Sequence, residues 1–367
     1  MENRSRLIVA ALGSLAGVFL LDAAMFRTNF YPSILEPDST TGLFENILRR
    51  ETLAQRHYGD NLVATIGDSR VAFLPRTANG LSFPTGYAFR SAGVAGSDPR
   101  SQFFMLRDLD PTASRYRAIC IGVEDIDDSE INLYDHAEDE RTLHYIIKRL
   151  RLSDVWDFSR SFHSRPLQWQ AFRGALLKGL VYQPDILAFL EHPKKRLDYI
   201  RLVHQGYESW TYDYVPEPQS LAGLQIDWIA GKVVIPDDFG PDKRETIGYL
   251  VNHKPMASHR LSEYRRVWFG RTAERYRGSR TKIIFFRVPR APIPFPESWY
   301  IPSKLGATIR DLAARQSNVV IMNEHTFEYL EHPQFFKDAA HLNREGVDLF
   351  STKLAQEVAK ILGPNAL

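Results

Sequence analysis

Short apolar runs alternate with longer amphipathic segments over most of the chain. Four of the runs have the length of a strand that is buried on both faces of a sheet, and they cover 62–66, 118–123, 282–288 and 318–322. Helical periodicity is found between and after them, at 99–109, 258–276, 302–316 and 344–362. A strand followed by a helix, repeated along the chain, predicts an α/β fold with a doubly wound parallel sheet and helices on both faces.

The N-terminus carries a candidate membrane segment. Arg4 and Arg6 precede residues 7–26, in which Asp22 is the only charged side chain. As a helix this stretch is about 30 Å long, close to the apolar thickness of a bilayer. We expect a signal-anchor over 1–30, because small residues suited to cleavage are poorly placed near Asp22. The basic residues before the span favour a remainder that is periplasmic or extracellular. A buried N-terminal helix of a soluble protein is the alternative.

The rest of the chain divides by composition. Residues 31–60 have prolines near their start and a helical pattern at 43–57, so they are expected to form a tether and a helix. Residues 61–367 are expected to form the α/β domain. Within it, 127–254 loses the alternation of strand and helix, which predicts a mainly helical insertion between the third and fourth strands. The insertion either shapes a substrate cleft or only stabilises the domain.

Charge and cysteine content exclude several classes of function. The 46 basic and 44 acidic side chains leave a net charge of +2, too little to gather nucleic acid or anionic lipid. The single cysteine, Cys120, allows no intrachain disulfide and no cysteine metal site. The acidic group of Asp125, Asp127, Asp128 and Glu130 lacks the glycine and the terminal glutamate of a known calcium loop, so we favour a solvated loop. We predict neither a metal nor another cofactor.

One serine follows the first strand directly. Ser69 stands in Gly67-Asp68-Ser69-Arg70, after 62–66, where open parallel sheets place their sites. A serine hydroxyl is a weak nucleophile until a neighbouring base removes its proton. Asp338-Ala339-Ala340-His341 offers that base, because a carboxylate three residues before a histidine in a loop can fix its tautomer and orientation. Each motif alone is weak, but their placement after the first strand and before the last helix predicts a triad of Ser69, His341 and Asp338.

These two blocks resemble those of the SGNH, or GDSL-like, hydrolase superfamily, in which a Gly-Asp-Ser block opens a flavodoxin-like three-layer domain and an Asp-x-x-His block closes it. The resemblance covers about 61–125 and 281–362. It implies an oxyanion hole formed by the backbone N–H groups of Ser69 and of a glycine after the second strand, which we assign to Gly93, with Gly96 as the second choice. Where the family commonly has Gly-x-Asn-Asp, this chain has Gly122-Val123-Glu124-Asp125.

The glutamate in that third block departs from the family pattern. An ionised glutamate cannot donate a hydrogen bond, and losing one oxyanion donor costs about 3 kcal/mol of barrier. Either another residue fills the place, or Glu124 is protonated or turned away, or the reaction is slow. Arg70 is the candidate substitute and a predicted substrate-binding residue, with a salt-bridged surface arginine as the alternative. Arg290, in a proline-rich loop after 282–288, is predicted to bind an anionic polymer.

A membrane anchor, a divergent SGNH core and a long helical insertion together resemble the proteins that acylate cell-surface polymers, among them the alginate acetylation and DltD-like proteins. The resemblance implies transfer of an acyl group, acetyl in the first instance, through Ser69 to a polysaccharide hydroxyl. It also implies a membrane-bound O-acyltransferase as the partner that supplies the acyl group. Two alternatives stay open: an esterase with the same triad, and a catalytically degraded assembly factor that binds a membrane partner or a glycan.

Overall fold

The computed structural model describes residues 2–57, 59, 61–71, 86–128, 140–205, 221–227, 230–252, 259–290, 292–293, 305–338 and 340–363. They belong to two compact units, a smaller one of 1–46 and 137–210 and a larger one of 47–136 and 211–367. The helices of the described part are α1 (Glu2–Phe26), α2 (Thr40–Ala54), α3 (Pro99–Leu109), α4 (Arg141–Ile146), α5 (Val155–Arg160), α6 (Arg165–Leu176), α7 (Gly179–Glu191), α8 (Pro193–His204), α9 (Pro241–Asn252), α10 (His259–Arg275), α11 (Thr308–Arg315) and α12 (Arg344–Leu362).

The larger unit is built on a five-stranded parallel sheet. The strands of the described part are β1 (Leu62–Ile66), β2 (Ala88–Ser91), β3 (Ala118–Val123), β4 (Gln225–Asp227), β5 (Lys232–Val234), β6 (Lys282–Arg287) and β7 (Val319–Ile321). The sheet has the order β2-β1-β3-β6-β7, and its four pairings are all parallel. β4 and β5 form a separate antiparallel pair. The predicted α/β class with a parallel sheet is confirmed.

Helices cover both faces of this sheet. Neighbouring residues of a strand point to opposite faces of a sheet. Phe285 and Phe286 of β6 therefore contact the helices on the two different faces. The ring of Phe285 lies 5.1 Å from that of Phe269 on α10, whereas the ring of Phe286 lies 6.0 Å from that of Phe350 on α12. All four side chains are buried. The sheet is therefore the middle of three layers, as the sequence pattern predicted.

The smaller unit is helical, and its division from the rest differs from the predicted one. Residues 31–46 were expected to be part of a tether and helix, but Tyr31 is fully buried. Its ring lies 4.8 Å from Phe26 and 5.0 Å from Tyr182, and its hydroxyl donates to Asp185 at 3.0 Å. The start of the chain therefore packs with the first part of the predicted insertion, and the described residues after 210 belong to the larger unit.

Helix α1 contains the predicted membrane segment. Its window Ile8–Phe26 has 19 residues and a mean hydropathy of 2.0, and only 6% of the window is buried. The helix is thus long enough and apolar enough to cross a membrane. The predicted signal-anchor of 1–30 corresponds to this helix and the few residues after it.

Val71 fixes the turn that follows β1. A Cβ atom on Gly67 would lie 2.1 Å from Val71 Cγ2, and one on Gly122 would lie 2.6 Å from Val71 Cγ1. Val71 itself is fully buried. Two glycines, one after β1 and one in β3, therefore make the room in which Val71 packs, and this contact holds the turn that carries Ser69.

We predict that Gly122→Ala lowers the free energy of unfolding by about 1–3 kcal/mol, the usual cost of overpacking a core. The new methyl group would meet Val71 at 2.6 Å, Val288 at 3.0 Å and Phe286 at 3.1 Å. Equilibrium urea unfolding measures the loss. Adding Val71→Ala to Gly122→Ala should recover part of it, because the nearest clash disappears. A double variant less stable than the sum of the two single losses would contradict this account of the turn.

Candidate active site

Ser69 lies in a tight turn at the carboxyl end of β1. The carboxylate of Asp68 accepts a hydrogen bond from the backbone N–H of Arg70 at 2.9 Å, and the carbonyl of Asp68 accepts one from the N–H of Val71 at 3.2 Å. Such a side-chain bond to the backbone two residues on is typical of an aspartate that shapes a turn. The Ser69 side chain is half-buried, so the turn presents its hydroxyl at the edge of the sheet.

His341 and Asp338 meet Ser69 there. Ser69 Oγ lies 2.8 Å from His341 Nε2, and His341 Nδ1 lies 2.9 Å from each oxygen of the Asp338 carboxylate. The backbone N–H groups of Ala340 and His341 also donate to Asp338, at 2.8 and 2.7 Å. The structure thus brings the three residues of the predicted triad into one hydrogen-bonded series.

The charge on Asp338 follows from these contacts. Burial alone would raise the pKa of its carboxyl group, but the hydrogen bond and charge of His341 and the two backbone N–H donors outweigh burial and lower the pKa below its ordinary value. The carboxylate therefore stays ionised at neutral pH. With Nδ1–H donating to Asp338, Nε2 is the nitrogen that can accept the Ser69 proton. The stability that this ionisation supplies is present above the ordinary carboxyl pKa and is lost as the pH falls through the lowered one.

The loop that carries His341 is held on both sides. Phe336 and Leu342 form an isolated antiparallel bridge, and the N–H of Lys337 donates to the carbonyl of His341 at 2.8 Å. Asn343 then caps the first turn of α12. The imidazole is therefore fixed by backbone contacts before and after it as well as by Asp338.

The two predicted oxyanion donors, the N–H groups of Ser69 and Gly93, differ in whether another group already accepts their hydrogen bond. The N–H of Ser69 has no hydrogen-bond partner among the described residues, so it is available to a ligand. The N–H of Gly93 donates to Ser91 Oγ at 3.2 Å, and the next residue, Val94, donates to the carbonyl of Gly67 at 3.0 Å. The loop of Gly93 is thus tied to the turn of Ser69, but Gly93 must release Ser91 before it can bind an oxyanion.

Arg70 and Glu124 form one ion-paired group with Asp68. Arg70 Nε lies 3.1 Å from both oxygens of Asp68, and its Nη1 lies 2.6 Å from Glu124 Oε1. Glu124, at the position where the resemblance led us to expect an asparagine, is therefore turned to the guanidinium. Two carboxylates already neutralise Arg70, and these contacts stabilise the turn that carries Ser69. The substrate-binding role of Arg70 stays a prediction.

Arg290 is also engaged by a carboxylate. Its backbone N–H donates to Glu331 Oε1 at 3.0 Å, and its Nε lies 3.5 Å from the same oxygen. Arg287 pairs with Glu331 as well, at 3.2 Å. Arg287 pairs with Glu328 too, at 3.1 Å. Two carboxylates thus balance the two arginines, and the binding of an anionic polymer by Arg290 remains a prediction.

The acidic residues after β3 have structural partners. Asp128 is fully buried, accepts from Arg265 at 3.1 Å and accepts from the backbone N–H of Thr308, at the start of α11, at 3.0 Å. Asp127 pairs with Arg310. Glu130 lies outside the described residues, and within these no three His, Cys, Asp or Glu side chains group as metal ligands. The sequence pattern missed the role of Asp128 because its partners lie more than 130 residues away.

No protein-family model matches the chain, and no curated protein matches it in sequence. The geometry of the site therefore carries the functional argument.

We predict that Asp338→Asn lowers kcat for an activated ester by about 10³- to 10⁴-fold, as the loss of the orienting carboxylate does in serine hydrolases. The amide cannot stabilise the imidazolium and favours the wrong tautomer of His341. Steady-state kinetics with 4-nitrophenyl acetate measures the change. Asp127→Asn, which breaks only the pair with Arg310, should retain the wild-type rate. A folded Asp338→Asn protein of undiminished kcat would exclude the triad.

Proposed function

We propose that the chain is an extracytoplasmic acyltransferase of the SGNH type. It moves an acyl group, which we expect to be acetyl, onto a hydroxyl of a cell-surface or exported polysaccharide through an acyl-serine intermediate. The observation that carries the proposal is the hydrogen-bonded series from Ser69 through His341 to Asp338 at the carboxyl end of β1. This arrangement supplies a nucleophile, a base and an orienting carboxylate, which is what acyl transfer requires.

In the proposed reaction, Ser69 Oγ attacks the carbonyl carbon of the acyl donor while His341 Nε2 accepts the serine proton. The tetrahedral oxyanion is bound by the N–H of Ser69 and by that of Gly93 once Gly93 has released Ser91. The oxyanion collapses, His341 protonates the leaving group, and Ser69 holds the acyl group as an ester. A sugar hydroxyl then gives its proton to His341 and attacks the ester carbonyl. The second oxyanion collapses, the bond to Ser69 Oγ breaks, and His341 returns the proton to Ser69 Oγ, which leaves the acyl group on the sugar.

The polysaccharide acceptor, the membrane and the donor partner are parts of the same proposal. Helix α1 supports a membrane anchor by its length and hydropathy, and the basic residues before it favour an external domain. Acetyl-coenzyme A is not expected outside the cytoplasm. A membrane-bound O-acyltransferase that carries the acyl group across would be held near the anchored enzyme at high effective concentration.

An esterase is the second candidate, and one observation favours it. The side chains of His341 and Asp338 are 31% and 33% exposed, so water can reach the base and attack the acyl-serine. Hydrolysis and transfer share every step up to that intermediate. The acceptor that His341 deprotonates, water or a sugar hydroxyl, decides between the two.

The test begins with the acyl-enzyme. The full chain in detergent micelles is mixed with 4-nitrophenyl acetate and followed by intact-mass spectrometry. We expect a gain of one acetyl group in the wild type and none in Ser69→Ala. Ser279→Ala is the matched control, because this serine lies before β6, at the opposite edge of the sheet, and donates to the carbonyl of Tyr276; it should acquire the acetyl group normally.

Acceptors then separate the candidates. Neutral and uronic-acid oligosaccharides are added to the acetylated enzyme, and both loss of the acetyl-enzyme and acetylation of the sugar are measured. Faster deacylation together with acetylated sugar supports the transferase, whereas deacylation at an unchanged rate with free acetate supports the esterase. A folded wild-type protein that forms no adduct would contradict both and favour the catalytically degraded assembly factor.

A further inference from the structure

The turn between α6 and α7 is bound to the last turns of α1. The carboxylate of Asp22 accepts from the backbone N–H of Lys178 at 3.1 Å and of Gly179 at 2.7 Å. Arg27, just after α1, donates to the carbonyls of Ala175 and Leu176 at 2.9 and 3.2 Å. All these residues belong to the smaller unit. The end of α6 and the start of α7 therefore lie beside the end of α1.

This contact explains the one charge in the apolar segment. A carboxylate inside a membrane span is expensive unless it has partners, and Asp22 obtains two N–H donors at the positive end of α7. Asp22 is 9% exposed, and it lies four residues, about 6 Å along the axis, before the end of the apolar window. If α1 crosses the bilayer, the α6–α7 turn must reach the depth of Asp22, at the outer boundary of the membrane.

Helix α7 leaves this turn with an apolar face towards solvent. Leu180, Leu187 and Leu190 are 54%, 51% and 65% exposed, and Pro184 is exposed between them. Leu180, Pro184, Leu187 and Leu190 follow one another at intervals of four, three and three residues, which places them on one side of the helix. We call these four residues the α7 stripe. Among the residues of α7 only Tyr182 is buried. A surface helix of a soluble protein normally buries its apolar side and exposes its polar side.

The rest of the described smaller unit also exposes large apolar side chains. Outside α1, nine of the fifteen large apolar side chains that are exposed in the described part belong to this smaller unit. They include Trp156 and Trp169, whose ring centroids lie 5.3 and 5.8 Å from that of Phe172. Exposed tryptophan is typical of the membrane interface.

Local charge points to the lipid headgroups. Residues 141–204 contain 12 Lys and Arg against 5 Asp and Glu, and Lys148, Lys178 and Arg196 are the buried ones among the 12. The excess is local to this segment, because the smaller unit as a whole has 15 basic and 14 acidic side chains. An exposed apolar stripe within a basic helical segment is the pattern of structures that lie in an anionic membrane surface.

We infer that the α7 stripe is a lipid-binding surface that lies in the outer boundary of the same bilayer that α1 crosses. Helix α7 enters the headgroup region at Gly179 and lays Leu180, Leu187 and Leu190 against the acyl chains. Exposed basic residues of the same segment, such as Arg173, Lys194 and Lys195, bind anionic headgroups. The inference rests on the proposed membrane span of α1 but not on the proposed acyl transfer. It adds a second membrane contact, which limits how the smaller unit can rotate about α1.

The test measures the depth of single side chains in a bilayer. Leu187→Cys and Leu190→Cys of the full chain are labelled with a fluorophore and placed in nanodiscs of phosphatidylcholine and phosphatidylglycerol, with a nitroxide lipid labelled near the headgroup. Cys120 is fully buried, and burial raises the pKa of its thiol, so labelling is confined to the introduced cysteine. We expect the nitroxide lipid to quench both labels and aqueous iodide to quench them weakly.

Two matched positions complete the design. Val9→Cys reports on α1 itself and should be protected from iodide, which establishes that the span is inserted independently of the stripe. Leu349→Cys, at a surface position 38% exposed on α12 of the larger unit, gives the iodide quenching of a solvent-exposed label for comparison. Labels at 187 and 190 that iodide reaches freely while Val9 is protected would overturn the inference and leave the stripe to a protein partner.

Discussion

The hydrogen bond between Ser69 and His341 joins two loops that are 272 residues apart in the sequence, and the larger unit is arranged to keep those loops in contact. Ser69 depends on β1 and on the packing of Val71 against Gly67 and Gly122. His341 depends on the bridge between Phe336 and Leu342. The intervening chain contributes to that loop too, since the N–H of Leu221 donates to the carbonyl of Phe336 at 2.8 Å. The parallel sheet explains how residues so far apart in the sequence can meet. Parallel strands end at a common edge, and the loops that carry Ser69 and His341 lie at that edge.

The elements that the sequence predicted best are those whose burial is complete. β1 and β3 are continuous apolar runs, and the predicted bounds 62–66 and 118–123 agree with the observed strands. β2 escaped the pattern of apolar runs because its burial alternates along Ala88–Ser91. The proximity of Ser69, His341 and Asp338 was predictable from placement, since β1 must end near Ser69 and α12 must begin after His341. The ion pair of Arg70 with Glu124 was not, because the two residues approach only when β1 and β3 pair.

In the smaller unit, local composition and whole-chain charge gave a wrong or incomplete expectation. Prolines and small polar residues at 31–41 predicted a tether, yet Tyr31 packs against Tyr182, about 150 residues away, and that contact leaves no local pattern. The balanced charge of the whole chain hid a basic segment at 141–204. The exposed stripe of α7 was hidden for a related reason: a run such as Ile186–Leu190 reads as a buried helix until its solvent-facing side is known. Exposure, which only the structure supplies, distinguishes a core helix from a surface that binds lipid.

The central claim is that His341 and Asp338 activate Ser69, and the rate at which a fluorophosphonate modifies the full chain tests it most directly. This reagent forms a stable bond with an activated serine and needs neither the natural donor nor the acceptor. The account predicts a single phosphonylated peptide that contains Ser69, with reaction lost in Ser69→Ala and strongly slowed in His341→Gln. A folded protein that stays unmodified, or one in which several serines react equally slowly, would contradict it.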